Sequence, residues 1–175
     1  VSHMVFSLMA FMAGSFGSTA VLYYAITYAL MAAAGFGILM VLSTDNIECE
    51  EIKDLAGLNQ RHAWFALLML LVMFSMAGIP PLMGFYAKFG VIMVLLKFHY
   101  VWLSVFAVVM SLIGAFYYLR VVKVMYFDEP THDQPIGSNY AAKFFLSVNA
   151  FLLVLWGVMP QTMIDWCAKA LENTL

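Results

Sequence analysis

Apolar residues fall in long blocks along this chain, divided by short polar stretches. About 20 apolar residues span a bilayer as a helix, and the blocks follow that length. Met4–Ala13 predicts a partial span. Thr19–Ser43 predicts a full one, opened by the capping candidates Ser18 and Thr19. Ala63–Gly78, Leu82–Leu96, Val101–Phe127 and Tyr140–Val158 predict four more. The expected architecture is therefore an all-α polytopic membrane protein with about five full spans plus one partial span. None of the blocks shows the period-two alternation of a membrane β-barrel.

The polar stretches carry most of the charge. Thr44–His62 holds Asp45, Glu48, Glu50, Glu51, Lys53, Asp54 and Arg61. Ile52, Leu55 and Leu58 recur there at helical spacing, which predicts a short amphipathic helix on the membrane surface. Asp128–Asn139 is a polar loop, and Pro160–Leu175 reads as an amphipathic C-terminal helix with Ile164, Cys167, Ala168 and Leu171 on one face. Counting crossings puts Gly14–Ser18, Pro80-Pro81 and Asp128–Asn139 on one membrane face. The acidic stretch, Lys97–Tyr100 and the C-terminal helix then share the other. Basic residues fall on both faces in this count, so it hardly decides orientation.

Composition narrows the function classes. Hydrophobic residues make up 65% of the 175 and charged residues 10%, where a soluble domain carries about a quarter charged. The bilayer is the expected solvent, and a net charge of −2 leaves no footprint for nucleic acid. Cys49 and Cys167 are too few and too far apart for a zinc or iron–sulfur framework. No phosphate-binding loop and no metal motif stands in the chain, so no cofactor or metal is expected within it. Val1–Gly14 has neither the basic flank nor the cleavage site of a signal peptide; it reads as the tail of a span, and the chain as part of a longer subunit.

Lys88 is the residue with the most chemistry. It interrupts the apolar run Leu82–Leu96, and a lysine within a membrane costs about 2.5–3.5 kcal/mol on the insertion scale. One reading is a stem snorkelling to the interface. The other is a proton carrier, because a low-dielectric environment disfavours the charged form of an amine. Just before it, Gly78, Pro80, Pro81 and Gly84 predict a helix break at membrane depth. Such a break is either a tight turn between two spans or the broken helix of a transport site. Tyr24, Tyr28, Tyr117, Tyr118 and Asn149 count to a similar depth from the face that holds Pro80-Pro81. Each is either an interface or packing residue or, with Lys88, part of a hydrated proton path.

Ser75-Met-Ala-Gly-Ile-Pro-Pro-Leu-Met-Gly-Phe-Tyr-Ala-Lys-Phe89 resembles the signature of the antiporter-like subunits of respiratory complex I, the bacterial NADH-quinone oxidoreductase. Ile52–Leu58 and Tyr117–Arg120 are also similar to that family. Ser2-His-Met4 resembles the end of another family segment, with Val5 where glycine is usual. The resemblance covers nearly the whole chain. Lysine at position 88, rather than glutamate, and the lack of a lysine in Thr19–Ser43 point to one branch of the family. The resemblance implies the C-terminal third of a fourteen-helix subunit, with Lys88 on the broken helix of a proton half-channel. It implies a bacterial inner-membrane location, a cytoplasmic side for the face holding Pro80-Pro81, and other complex I membrane subunits as partners. NAD, FMN, iron–sulfur clusters and quinone would belong to partner subunits. A subunit of a multi-subunit sodium/proton antiporter shares the fold and motif, and a purely structural membrane subunit is the third reading. Sodium sites favour carboxylates and carbonyl oxygens, and no full span contains Asp or Glu.

Overall fold

The structure, a computed structural model, describes residues 2–12, 15–43, 51–130 and 140–172. All regular structure among them is helical: α1 (Ser2–Phe11), α2 (Ser15–Leu42), a 3-10 turn (Ile52–Leu55), α3 (Leu58–Arg61), α4 (Ala63–Ala77), α5 (Met83–Lys97), α6 (Val101–Phe127), α7 (Tyr140–Val158) and α8 (Pro160–Glu172). α2, α6 and α7 are each long and apolar enough to cross a membrane. α2 is central and packs on α1, α4, α5, α7 and α8. Its buried stripe, Tyr24, Thr27, Met31, Ala34 and Ile38, keeps helical spacing. Glycine permits the closest approaches: a Cβ on Gly37 would meet the Leu146 side chain of α7.

The expected crossing count does not hold. α4 and α5 have 15 residues each, about 22 Å of helix at 1.5 Å per residue, too short for a hydrocarbon core of about 30 Å. They do not form an antiparallel hairpin. The Gly84 amide donates to Ser75 Oγ, and four residues further along α5 the Lys88 amine reaches the Ala77 carbonyl, two residues further along α4. Both pairs advance in the same direction, so α5 continues the course of α4. Together they make one crossing, broken between Gly78 and Leu82. Sequence counting treated the two apolar blocks as two spans because each ends at a helix terminator.

Everything downstream changes face. α6 ends beside the stretch that follows α2: the Gly57 amide donates to the Val124 carbonyl at 3.3 Å, and Gly57 lies against Pro130. α7 begins on that same face, where the Trp64 indole at the start of α4 donates to Ser147 Oγ at 3.0 Å. α8 packs on α2, with Cys167 within electrostatic reach of Tyr23 in the N-terminal third of that helix. Lys97–Tyr100 and α8 therefore share the face where α2 begins. Lys53, Arg61 and Asp128 share the opposite one. Residues 44–50, with Glu48 and Cys49, and residues 131–139 of the polar loop lie outside the described residues.

The expected surface helix is also different. Residues 52–61 form a 3-10 turn and one turn of α-helix, separated by Gly57 in the left-handed region at φ 63. Leu55 and Leu58 are buried against α6, while Ile52 is exposed. This segment docks into the bundle instead of lying flat on the membrane.

The revised topology has a direct test. In a cysteine-free background, single cysteines at Lys53 and Asp128 will react with a membrane-impermeant thiol reagent from one side, and a cysteine at Lys169 from the other. Labelling of the Lys53 and Lys169 positions from one side and of Asp128 from the other would restore the five-crossing count.

Candidate functional site

The site begins with two prolines. In a continuing helix the carbonyls of Met76 and Ala77 would bond the amides of residues 80 and 81, but Pro80 and Pro81 have no N–H. The chain leaves the helix instead through Gly78 at φ 85, whose amide bonds the Phe74 and Ser75 carbonyls at 3.1 and 3.0 Å. The Met76 and Ala77 carbonyls are left facing the interior, where an unpaired polar group is costly.

Lys88 fills that need. Its Nζ donates to Met76 O at 2.8 Å, Ala77 O at 3.1 Å and Ser111 Oγ of α6 at 3.0 Å. Three donors meet three acceptors, which is the full capacity of an ammonium group. Two of those acceptors form the negative end of the α4 dipole, where a cation is favoured. Lys88 lies on the core-facing stripe of α5 with Gly84, Ala87, Val91 and Leu95, and is 8% exposed. Nine residues separate it from Lys97 at the end of α5, so it sits roughly 13 Å inside. The snorkelling reading is thus set aside: the stem turns toward the break and not toward the membrane surface.

Glycines let the two half-helices overlap. A Cβ on Gly84 would collide with the Ser75 carbonyl, and one on Gly157 of α7 with the backbone at Pro81. A Cβ on Gly78 would press on the Lys88 stem at 3.1 Å. Beside the amine lies a cavity of about 280 Å3, lined by Gly78, Phe85, Lys88, Ile92, Ser111 and Leu112 among others.

None of the remaining expected site residues is a direct hydrogen-bond partner of Lys88. Tyr24, Tyr28 and Tyr118 stand within electrostatic reach of one another as a cluster of their own. Tyr24 is buried and stacked on Phe6 at a centroid distance of 5.7 Å. Tyr117 points outward, 58% exposed. Asn149 stands midway along α7, nine positions from Tyr140 and nine from Val158. Its buried carboxamide oxygen has no hydrogen-bond partner among the described residues. The His3 side chain lies outside the described residues, and Cys167 is a buried free thiol.

Comparison with known proteins follows the same residues. The model of the family described as "NADH:quinone oxidoreductase/Mrp antiporter, TM" matches residues 1–114, from α1 through the break, Lys88 and Ser111. The chain belongs to that family. Within it, the chain is 78% identical over its whole length to the NADH-quinone oxidoreductase subunit N of Neisseria gonorrhoeae, and covers 37% of that protein. It is 49% identical to the subunit N of Methylovorus glucosotrophus and 47% identical to that of Nitrosomonas europaea, covering 36% and 37% of them. The chain thus spans little more than a third of the relatives it matches. Subunit N is the branch that the lysine at position 88 and the lysine-free α2 pointed to. The fold also matches a chain of respiratory complex I from Thermus thermophilus, solved with bound aureothin. The TM-score is 0.79 at 24% identity, covering 91% of this chain and 36% of that one.

The family match spans the helix break but does not give the partners of the amine, which sequence reasoning missed. Ser111 was passed over, although it is the sole polar side chain between Ser104 and Tyr117 on α6. The pairing of Pro80 and Pro81 with the carbonyls four residues earlier was also available from spacing alone.

Proposed function

We propose that this chain is a proton-translocating membrane segment of an NADH:quinone oxidoreductase, contributing a half-channel centred on Lys88. The observation that carries this reading is the amine itself: a buried cation at the break of a membrane-crossing helix, held by carbonyls that no backbone amide can satisfy. Structural packing alone is better served by an apolar side chain, since desolvating a charge costs more than a pair of hydrogen bonds returns. The names of the relatives favour a redox-driven complex over a free-standing cation/proton antiporter.

In this reading the amine is charged in one step of the cycle and neutral in another. Energy arrives from partner subunits that carry NAD, FMN, iron–sulfur clusters and quinone; this segment binds none and acts as a non-redox part of the translocase. A nearby charge that comes and goes would move the lysine between its two states, each tenfold change in occupancy requiring about 1.4 kcal/mol.

We also place the face of residues 52–61 in the cytoplasm of a bacterial inner membrane. Of the eight Lys and Arg residues, Lys88 is internal. Lys53, Arg61, Arg120, Lys123 and Lys143 flank that face and only Lys97 and Lys169 the other, an asymmetry the positive-inside rule can use.

Lys88→Arg tests the function. Arginine keeps a cation for the break but cannot shed its proton. In the full subunit within its assembled complex, the variant is expected to lose most proton pumping in membrane vesicles. Wild-type pumping by a complex shown to be assembled would return Lys88 to a structural role.

A further inference from the structure

The three partners of Lys88 are not equivalent. Met76 O and Ala77 O can only accept, so they need donors whatever the charge on the amine. Ser111 Oγ–H can accept or donate, and the direction of a hydroxyl is set by rotation about its C–O bond. An ammonium group donates three times. A neutral amine has two hydrogens and one lone pair. Two fixed acceptors and one reversible partner therefore match both forms: the hydrogens of the neutral amine stay on the carbonyls, and its lone pair turns to Ser111.

Lys88 and Ser111 are the polar side chains lining the cavity of about 280 Å3, whose other walls are apolar; a water there needs only some 10–15 Å3 of probe-occupied space and has the amine and the hydroxyl as its polar partners.

We propose that Ser111 is the proton-exchange partner of Lys88, reversing its hydroxyl so that the amine stays fully hydrogen-bonded with and without its extra proton. The step balances simply. The ammonium N–H directed at Ser111 breaks as an O–H bond forms on Oγ, and the hydroxyl's own proton passes to a water in the cavity, giving hydronium; nitrogen keeps the electron pair and accepts from the new Oγ–H. The reverse step reloads the amine. This deepens the function proposed above and rests on it, since it requires that Lys88 change charge.

Threonine and valine separate the hydroxyl from the packing. Both add bulk at position 111, and they differ only by hydroxyl against methyl. In the full subunit within its assembled complex, Ser111→Thr is expected to pump near the wild-type rate. Ser111→Val and Ser111→Ala should be roughly tenfold slower at equal amounts of complex, the weight of one hydrogen bond to a charged group. Equal pumping by the threonine and valine variants, whether both high or both low, would overturn the role of the hydroxyl; where valine prevents assembly, alanine against threonine gives the same contrast. Lys88→Arg is measured alongside. If it pumps normally, the proton-carrier reading itself falls; if it is inactive while threonine and valine agree, only the role of Ser111 falls.

Discussion

Lys88→Met is expected both to abolish proton pumping by the assembled complex and to remove part of the support for the broken helix. Methionine approximates the length of the stem, so the apolar contacts of α5 survive. Nothing replaces the amine at the Met76 and Ala77 carbonyls, because Pro80 and Pro81 supply no amide there. Each buried acceptor left unpaired costs about 1–3 kcal/mol. The variant complex should therefore show a lower melting temperature as well as lost pumping. Lys88→Arg, which retains donors, should lose pumping with much less loss of stability. That contrast separates the two tasks of one side chain. A Lys88→Met complex as stable as the wild type would mean that water satisfies the carbonyls, and that the capping role assigned to the amine is wrong.

Gly84→Ala is expected to be as damaging with no change in charge. α5 overlaps the end of α4 because the backbone of Gly84 lies directly on the Ser75 carbonyl, while the Gly84 amide donates to Ser75 Oγ at 3.2 Å. A methyl group there has no flexible side-chain tip to displace; it meets backbone. The half-helices would have to part, drawing Lys88 away from the carbonyls it caps. Forced overpacking costs typically 1–3 kcal/mol, and the lost hydrogen bonds of the amine add to it. The expected outcome is a sharp fall in assembled complex, measured by its abundance in native gels, whereas Gly90→Ala on the same helix, where a Cβ meets nothing within 4 Å, should assemble normally. Equal abundance of the two variants would show that the overlap of α4 and α5 is not as close as described.

Both variants act where sequence and tertiary structure divide the information. The helices were legible residue by residue: Val101–Phe127 and Tyr140–Val158 have the bounds that apolar block lengths gave. The break was legible too, because glycine and proline act on their own backbone, and it falls between Ala77 and Met83 as the Gly78–Gly84 motif implied. Lys88 stood out because a charge in an apolar run carries its cost wherever the run is placed.

Which way α5 leaves the break was not legible. Two apolar blocks of 15 residues joined by Pro-Pro fit a hairpin or a single interrupted crossing equally well by local pattern. Only the contacts of Gly84 with Ser75 and of Lys88 with Ala77 decide between them. That one choice moved α6, α7 and α8 to the opposite faces and gathered five cations on one side. The facing of side chains was hidden for a related reason. Lipid tails and a membrane protein's core are about equally apolar, so a helix such as α6 shows no polar stripe to mark its outside. Tyr117 faces outward and Ser111 inward from one helix without any periodicity to announce it. The sequence by itself determined the helices, the break and the buried charge, because these follow from each residue's own backbone and solvation preferences. The number of crossings, the face of each loop and the partners of the amine were decided by contacts between residues far apart in the chain, which only the packed helices bring together.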